Sequence, residues 1–264
     1  MHLPQTAALV PTLVALAEAG STNDELVARA GGLPDFSVVV TDNQTAGRGR
    51  LGRTWTAPAG RSLAISVLLR PRLPAGEPLG LEHFGWLPLI AGLAMTRAVA
   101  PHATGRVGLK WPNDVQVEGR KVSGLLAELL ATADGVVLGA GVNLALTADE
   151  LPTPVSTSLL LEGATLTGDE LADAVLVQYL RELRALVDGF LRLGADVGAS
   201  GLLDAVSAAC TTIGQQVRVE LPGGDVMRGT AIAIDRSGRL VVRRSHDGHD
   251  VAVAAGDVTH VRYE

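Results

Sequence analysis

The segment Gly47–Trp55 reads G-R-G-R-L-G-R-T-W and carries three glycines and three arginines, in a protein whose formal net charge is −6. Glycine lets a backbone turn tightly and approach a ligand closely. The arginine guanidinium is a planar, permanently charged fork that matches phosphate and carboxylate groups. Trp55 adds a flat face that is able to cover a ring. The segment predicts a flexible, locally positive loop that closes over an anion, although a solvated basic turn fits the segment alone equally well.

The composition around this segment is that of a globular protein. The chain has 264 residues, 47% hydrophobic and 19% charged, which is enough for one large core or for a core plus a small module. A pI near 5.5 argues against a general nucleic-acid binder. The single cysteine, Cys210, excludes an internal disulfide and fits a reducing, cytoplasmic location. We expect no membrane-spanning run and no signal peptide.

Apolar runs separated by turn residues predict strands and helices up to residue 150. Strands are expected at 13–18, 37–41, 62–69, 122–132 and 136–138, and a buried helix is expected at 86–100. Ser21-Thr22-Asn23 is typical of a helix start, with Glu25 completing a capping box from Thr22. Ser21 and Thr22 are either helix caps or binding residues, because hydroxyls and N–H groups at a helix N-terminus suit a small polar ligand.

Only two of the 22 basic residues are lysines, Lys110 and Lys121, which indicates either positions where a compact ammonium group is needed or chance survival on the surface. Lys110 opens the run K-W-P-N-D, in which Pro112 forces a turn or an edge. Lys121 lies in a predicted hairpin turn before a strand whose Gly124 permits close approach. Asn143 follows a glycine-rich strand end and either reaches into the space beside the sheet or forms an Asx turn.

Beyond residue 150 the pattern predicts helices and then a small β-domain. Helices are expected at 156–161, 167–193 and 202–210, the second opening with a capping box from Thr167 to Glu170. Short strands follow at 217–220, 227–234, 240–243, 251–254 and 258–261, with turns at 222–224, 237–238 and 247–248. This pattern predicts a five-stranded barrel. We therefore divide the chain into a first domain, residues 1–211, and a C-terminal domain, residues 212–264.

Several common catalytic motifs are missing from the sequence. It contains no GxxxxGK[ST] phosphate loop and no strand-bound GxGxxG, which argues against a P-loop or a typical dinucleotide fold. Its six histidines show no metal-ligand spacing. No serine lies in a G-x-S-x-G elbow.

Taken together, the motifs resemble those of the biotin protein ligases. The resemblance rests on five segments in the order found in that family: S-T-N at 21–23, Q-T-A-G-R-G-R-L-G-R-T-W at 44–55, K-W-P-N-D at 110–114, G-R-K-V-S-G at 119–124 and G-A-G-V-N at 139–143. It implies an α+β fold of the class II synthetase type, in which helices cover a mixed or antiparallel sheet. It also implies that the C-terminal barrel is SH3-like.

The same resemblance implies a two-step reaction. The carboxylate of biotin attacks the α-phosphate of ATP, supplied with Mg²⁺, and gives biotinyl-5′-AMP and diphosphate. A lysine of a biotin carboxyl carrier domain then attacks this anhydride and releases AMP. Fixed positive charge from Arg48, Arg50 and Lys121 would offset the repulsion between the two anions. The glycine-rich loop at 47–52 would shield the water-labile intermediate.

The resemblance also assigns roles to individual residues. The catalytic residues are Lys121 and Arg50. The biotin-binding residues are Ser21, Thr22, Asn23, Gln44, Arg48, Gly49, Arg50, Lys121, Gly124 and Gly141. The ATP- or adenylate-binding residues are Gly47, Arg48, Arg50, Arg53, Trp55, Lys110, Asn113, Asn143 and Arg262. Asp114 either helps to hold magnesium or only braces the corner, and no other metal ligand is assigned.

The sequence departs from the family pattern in two places. Too few residues precede Ser21 for the DNA-binding winged helix of the repressor members, so we expect no operator binding. Leu51 replaces a residue that is basic in some members, which leaves the charge of the loop and self-association open. We expect a monomer or a weak dimer without membrane association. The alternatives are a lipoate ligase or octanoyltransferase, a non-catalytic biotin sensor and a nucleic-acid-binding module.

Overall fold

The computed structural model of the protein describes residues 1–221, 225–254 and 257–260. The helices are α1 (Pro4–Leu9), α2 (Thr22–Arg29), α3 (Leu87–Val99), α4 (Gly168–Arg192) and α5 (Leu202–Ala209). The strands of the first part are β1 (Leu13–Ala15), β2 (Val38–Thr41), β3 (Gly47–Arg48), β4 (Thr54–Trp55), β5 (Ser62–Leu69), β6 (Val107–Lys110), β7 (Asp114–Val117), β8 (Arg120–Leu129) and β9 (Val136–Asn143). The C-terminal strands are β10 (Gln216–Glu220), β11 (Val226–Ile234), β12 (Leu240–Arg244), β13 (Asp250–Val253) and β14 (Asp257–His260).

Seven strands form the central sheet, in the order β1-β2-β5-β9-β8-β7-β6. The pair β1–β2 is parallel, and the other neighbouring pairs are antiparallel. The three middle strands, β5, β9 and β8, are the longest in this sheet. This confirms the predicted mixed sheet, which is mainly antiparallel because hairpin turns such as the one before Arg120 connect its strands.

The sheet separates two layers of helix. Side chains of Val38 and Val40 belong to the large core under α3 and α4, whereas Val39 belongs to a small cluster with Leu26 of α2. This alternation follows from the two-residue period of a strand, which sends successive side chains to opposite faces. The face that carries α2 also receives the loop between β3 and β4 and forms the site described below.

The N-terminal helix α1 was not predicted, because nothing in its own short sequence requires a helix. Its support comes from α4: Asp173, which is 3% exposed, accepts hydrogen bonds from the backbone N–H groups of Gln5 and Thr6 and from the Thr6 hydroxyl. These bonds satisfy donors at the start of α1 that have no intrahelical partner. A helix of six residues is stable here through this tertiary contact rather than through its propensity.

The five C-terminal strands form a separate antiparallel sheet in the order β13-β12-β11-β10-β14. All five predicted strands are present, with bounds shifted by one residue or less over the described positions. The predicted turn at 222–224, the strand end at 261 and the nucleotide contact Arg262 lie outside the described residues. Leu109 of β6 forms a parallel bridge with Cys210, so the central sheet and the start of the C-terminal part are joined by backbone.

Three local predictions were wrong. Residues 156–161 form turns rather than a helix, because their backbone bonds to β8 and to the end of β9. The N-cap of α2 is Ser21, whose hydroxyl accepts from the Asp24 N–H, and Glu25 instead pairs with Arg29. Thr167 is the N-cap of α4 but makes no capping hydrogen bond with its side chain.

The expectation about membrane-spanning length also needs correction. The helical stretch Leu81–His102, which contains α3, is 22 residues long and apolar enough to cross a membrane by length and composition. In the fold, 67% of its most apolar 18-residue window is buried inside the protein. A core helix meets the same criteria, so the stretch is weak evidence for a membrane span.

Candidate active site

A cavity of about 130 Å³ lies on the α2 face of the central sheet. Its floor follows one row of paired residues across three strands, from Asp114 through Gly124 to Gly141. Because Gly124 and Gly141 have no side chains, a groove opens in the middle of a sheet that is otherwise rich in valine and leucine. The cavity is lined by Ser21, Thr22, Asn23, Gln44, Arg48, Gly49, Arg50, Leu51, Arg53, Thr54, Trp55, Asn113, Asp114, Lys121, Gly124, Leu125, Leu126, Gly139, Ala140 and Gly141.

The indole of Trp55 lies directly on this floor. A Cβ atom at Gly141 would lie 2.4 Å from Trp55 Cε2, and one at Gly124 would lie 3.3 Å from Trp55 Cζ3. The two glycines are therefore needed for the ring to reach the sheet. Trp55 Nε1 is buried and has no hydrogen-bond partner among the described residues. Lys121 Nζ lies 5.7 Å from the centre of the ring, within the range of a cation–π contact.

One end of the cavity is polar and uncharged. Gln44 Oε1 accepts from the Thr22 N–H at 2.9 Å and from the Thr22 hydroxyl at 3.2 Å, which satisfies a free donor at the start of α2. Ser66 of β5 places its hydroxyl 2.9 Å from Thr22 Oγ1. Ser21 and Thr22 are 7% and 3% exposed. This end presents hydroxyl and amide groups in fixed positions, which suits a ligand with both hydrogen-bond donors and acceptors.

Charged residues lie beside this polar end. Asn23 donates from Nδ2 to Glu128 Oε2 at 2.6 Å, and Arg48 Nη2 lies 3.0 Å from the same oxygen. Arg48 also pairs with Asp24 of α2. The arginine is about half exposed, so both ion pairs are weak and are easily exchanged for a ligand contact.

The other end of the cavity carries two cations supported by consecutive residues. Arg50 Nη1 donates to Asn113 Oδ1 at 3.1 Å, and Lys121 Nζ lies 2.6 Å from Asp114 Oδ1. Asn113 is itself fixed to Leu125 of β8, with Nδ2 donating to the Leu125 carbonyl at 2.7 Å and its own carbonyl accepting from the Leu125 N–H at 2.9 Å. The 113–114 corner therefore brings a guanidinium and an ammonium group to one side of the glycine floor.

The backbone of Lys121 is also fixed on both sides. Its N–H donates to the Val155 carbonyl at 2.7 Å, and its carbonyl accepts from the Thr157 N–H at 2.8 Å. Thr157 donates its hydroxyl to Glu162, a carboxylate that is 5% exposed and pairs with Arg120 at 2.7 Å. The 155–157 segment thus forms a backbone bracket around Lys121, which explains why these residues are not helical.

Two family models match separate parts of the chain. Residues 20–143 match the Biotin/lipoate A/B protein ligase family, and residues 212–261 match the Biotin protein ligase C terminal domain. The chain is 39% identical over 252 residues to the biotin–[acetyl-CoA-carboxylase] ligase of Mycobacterium tuberculosis, a match that covers 94% of this chain and 88% of that protein. This chain belongs to the biotin protein ligase family.

Two further comparisons agree with this assignment. The biotin–[acetyl-CoA-carboxylase] ligase of Paracoccus denitrificans is 32% identical over 236 residues, which is 86% of this chain and 92% of that protein. The solved structure of the biotin protein ligase from Aquifex aeolicus in complex with biotin and ATP superposes with a TM-score of 0.75. Its sequence is 26% identical, and the match covers 95% of this chain and 99% of that one. The predicted α+β fold with an SH3-like C-terminal domain is confirmed as that of a biotin protein ligase.

The fold brings most of the predicted site residues to one cavity. The predicted residues that line it are Ser21, Thr22, Asn23, Gln44, Arg48, Gly49, Arg50, Arg53, Trp55, Asn113, Asp114, Lys121, Gly124 and Gly141. Over the described part of the chain, Gly47, Lys110 and Asn143 do not line the cavity. Asn143 is 3% exposed and donates to the Thr157 carbonyl at 2.9 Å. A Cβ at Gly47 would lie 2.4 Å from the Trp55 carbonyl, so this glycine permits the pairing of β3 with β4.

Several residues of the cavity had no role assigned from the sequence, although Leu51, Thr54, Gly139 and Ala140 lie within the quoted motifs. Leu51, Thr54, Leu125, Leu126, Gly139 and Ala140 also line it, and Asp24, Ser66 and Glu128 contact the lining residues. A signal was available for part of this set. Gly124, Leu126 and Glu128 alternate along β8 and share a face, as do Gly139 and Gly141 on β9. Ser66 carries no such local signal, because only the pairing of β5 with β9 brings it to α2.

The described residues that line the cavity offer too few carboxylates to hold a magnesium ion by themselves. No cluster of three or more histidine, cysteine or acidic residues occurs over the described positions. Asp114 is the one carboxylate among the described lining residues, and it is 21% exposed. Magnesium is usually held by one or two carboxylates together with the phosphates of the substrate. The site therefore fits an ion that arrives with ATP rather than one held by the protein alone.

Proposed function

We propose that this chain activates biotin with ATP and transfers it to a lysine of a carrier protein. The observation that carries the proposal is the joint support of Arg50 and Lys121 by consecutive residues of one corner, Asn113 and Asp114. These two cations lie beside a glycine floor that is covered by the flat indole of Trp55. A polar end with hydroxyl and amide groups completes the cavity. Such an arrangement suits a ligand with a polar ring system at one end and an anionic group at the other.

In this proposal the polar end holds the ring system of biotin. Ser21, Thr22 and Gln44 supply hydroxyl and amide groups for the ureido group, and Trp55 packs against the ligand above Gly124 and Gly141. The carboxylate of biotin then points toward the cationic end. Since the polar groups at this end are already fixed by hydrogen bonds within the protein, little ordering is needed when the ligand binds.

Arg50 and Lys121 act at the cationic end. The carboxylate oxygen of biotin attacks the α-phosphorus, the bond to the bridging oxygen breaks, and diphosphate leaves with its electron pair. Two anions must approach each other in this step, so fixed positive charge lowers the energy of the transition state. Lys121 contacts the carboxylate and α-phosphate oxygens, and Arg50 contacts the phosphate. Arg48 and Arg53 join them when the 47–55 loop closes, with Arg48 exchanging its exposed ion pairs for ligand contacts.

The co-substrates and partners follow from the same proposal. ATP would arrive with magnesium, which would neutralise phosphate charge, and Asp114 is the residue that would share in holding the ion. The acceptor is the biotin carboxyl carrier domain of a carboxylase, whose lysine amine attacks the adenylate carbonyl and releases AMP. A net charge of −6 supports the prediction that DNA is not a ligand. The monomeric or weakly dimeric state, the cytoplasmic location, the domain division at 211 and the roles of Lys110, Asn143 and Arg262 stay predictions.

The test is diphosphate release from ATP and magnesium with biotin, lipoate, octanoate or no acid. We expect stimulation by biotin alone and transfer of labelled biotin to a purified carrier domain. Lys121→Ala is expected to slow the biotin-dependent release by about a hundredfold or more, as found when a transition-state donor is removed. Arg72→Ala is the matched control, since Arg72 is exposed and its guanidinium, among the described residues, donates only to the Gly76 carbonyl of its own turn.

The other outcomes point to the alternatives. Stimulation by lipoate or octanoate instead of biotin would show that the chain is a lipoate ligase or an octanoyltransferase. Measurable biotin binding without diphosphate release would favour a biotin sensor. An equal loss in Lys121→Ala and Arg72→Ala would contradict the assignment of Lys121.

A further inference from the structure

Two tryptophans hold the same turn of the C-terminal sheet. Trp111 Nε1 donates to the Gly238 carbonyl at 3.0 Å, and Trp86 Nε1 donates to the Arg236 carbonyl at 2.8 Å. Both indoles are nearly fully buried, at 2% and 1% exposure. The two hydrogen bonds are alike in chemistry, but the two tryptophans belong to different elements of the fold. Trp86 lies directly before α3, whereas Trp111 lies between β6 and β7 in the K-W-P-N-D run.

The turn that receives both indoles is internally braced. Asp235 Oδ1 accepts from the Ser237 N–H at 2.9 Å and from the Arg239 N–H at 3.0 Å, and the Asp235 carbonyl accepts from the Gly238 N–H at 2.9 Å. Gly238 has φ of 78°, a value that favours glycine. The carbonyl groups of the turn are therefore held in fixed directions and provide a firm support for the indoles.

Trp111 is attached to the C-terminal part at a second point. Its backbone N–H donates to Thr212 Oγ1 at 3.0 Å, and Thr212 is fully buried. One residue earlier in the chain, the Thr211 N–H donates to the Leu109 carbonyl at 2.8 Å. The backbone and the side chain of Trp111 are thus both anchored to the C-terminal part of the chain.

The residues that directly follow Trp111 support the two cations of the cavity. Pro112 is followed by Asn113, which accepts from Arg50, and by Asp114, which pairs with Lys121. A shift of Trp111 is therefore transmitted to both contacts within three residues. Trp86 has no such connection, because it leads into α3, which packs on the other face of the sheet.

We propose that Trp111 is a positioning residue through which the C-terminal sheet sets the directions of Arg50 and Lys121. The expected effect of Trp111 on kcat rests on the proposed function. Its expected effect on the order of residues 112–126 does not. The indole itself lies outside the cavity and touches neither cation in the described contacts. Trp111 acts through Asn113 and Asp114, so its loss changes the rate of adenylation more than the binding of biotin, whose polar end lies on α2 and β5.

Trp111→Phe and Trp86→Phe form a matched pair, because each removes one indole N–H donor to the same turn and keeps an aromatic ring. We expect Trp111→Phe to lower kcat for biotin-dependent diphosphate release about tenfold, since small misplacements of catalytic groups are costly, with KM for biotin within about twofold. Trp86→Phe should lower thermal stability to a similar extent and leave kcat within about twofold.

Two further measurements keep the test independent of folding and of activity. If Trp111→Phe does not fold, Thr212→Val is used instead, because it removes the acceptor of the Trp111 N–H and should also lower kcat. Thr212→Ser keeps a hydroxyl acceptor and should have the kcat of the wild-type protein. Hydrogen exchange of residues 112–126 should be faster in Trp111→Phe than in Trp86→Phe, whatever the substrate of the protein.

The outcomes separate this inference from the proposed function. Absence of biotin-dependent release from the wild-type protein would contradict the function and leave the exchange comparison valid. Equal exchange at 112–126 and equal kcat in the two tryptophan variants would overturn the positioning role of Trp111 and leave the function standing.

Discussion

Lys121 Nζ lies 2.6 Å from Asp114 Oδ1, across the paired strands β7 and β8. Both side chains are partly exposed, at 32% and 21%, so the pair contributes little to folding and mainly fixes where the ammonium group points. Asp114→Asn keeps an oxygen that is able to accept from Lys121 and removes the negative charge. We expect kcat for adenylate formation to fall about tenfold, while the free energy of unfolding changes by less than about 1 kcal/mol.

The control for this variant is Asp149→Asn, an exposed carboxylate that bonds to Thr147 away from the cavity. Single-turnover formation of the adenylate and thermal unfolding are measured for both proteins. A fall in stability of several kcal/mol in Asp114→Asn, with an unchanged rate in the remaining folded protein, would show that Asp114 serves the fold and not the reaction.

Gly141→Ala tests the glycine floor. The added methyl group would lie 2.4 Å from Trp55 Cε2, closer than real Cβ contacts, so the indole must lift from the sheet. We expect the Kd for biotin, measured by calorimetry, to rise at least about tenfold, which corresponds to about 1.4 kcal/mol. Gly31→Ala is the control, because a Cβ at Gly31 meets nothing within 4 Å. Equal affinities of the two variants would mean that biotin does not need Trp55 in this position.

The floor also shows how far sequence reasoning reaches. Gly124 and Gly141 belong to quoted motifs, and the alternation along β8 and β9 indicates which of their neighbours share a face. The register that places Gly124 opposite Gly141 depends on the whole β8–β9 pairing. Lys110 and Asn143 belong to equally clear motifs, yet their side chains do not reach the cavity over the described residues. A motif identifies residues of one site, but only the packing of distant segments decides which of them face the ligand.

Tyr179→Phe is expected to stabilise the protein. Tyr179 of α4 is 0% exposed, and its hydroxyl has no hydrogen-bond partner among the described residues. Burial raises the pKa of this phenol far above its ordinary value, so the hydroxyl stays protonated. An unsatisfied buried polar group costs about 1–3 kcal/mol, and each 1 kcal/mol regained by its removal should raise Tm by about 2–4 °C.

Phe190→Tyr on the same helix is the opposite change, since it adds a hydroxyl at a fully buried position, and it should lower Tm. The two melting curves are compared at one pH and one protein concentration. A lower Tm in Tyr179→Phe would show that the hydroxyl has a partner, such as a buried water molecule.

The helices illustrate a different limit of prediction. The amphipathic pattern of α4 was sufficient to predict it, because one face of the helix carries the core residues. The helix α1 depends on Asp173, about 170 residues away in sequence, and the 155–157 bracket depends on the backbone of Lys121. Such contacts leave no local periodicity. They were missed because long-range hydrogen bonds, and not propensity, decide the conformation of these short segments.

Cys210 provides a probe of the junction between the central sheet and the C-terminal part. It is 6% exposed, and burial raises the pKa of its thiol, so little of the reactive thiolate is present near neutral pH. We expect a disulfide reagent at pH 8 to modify Cys210 about a hundredfold more slowly in the folded protein than in urea, because reaction requires local opening.

Trp111→Phe should accelerate the folded-state reaction more than Trp86→Phe, since the Cys210 bridge to Leu109 lies beside the Trp111 anchor. A folded-state rate equal to the rate in urea would contradict the burial of Cys210, and equal acceleration by both variants would place the opening at the turn of the C-terminal sheet rather than at Trp111.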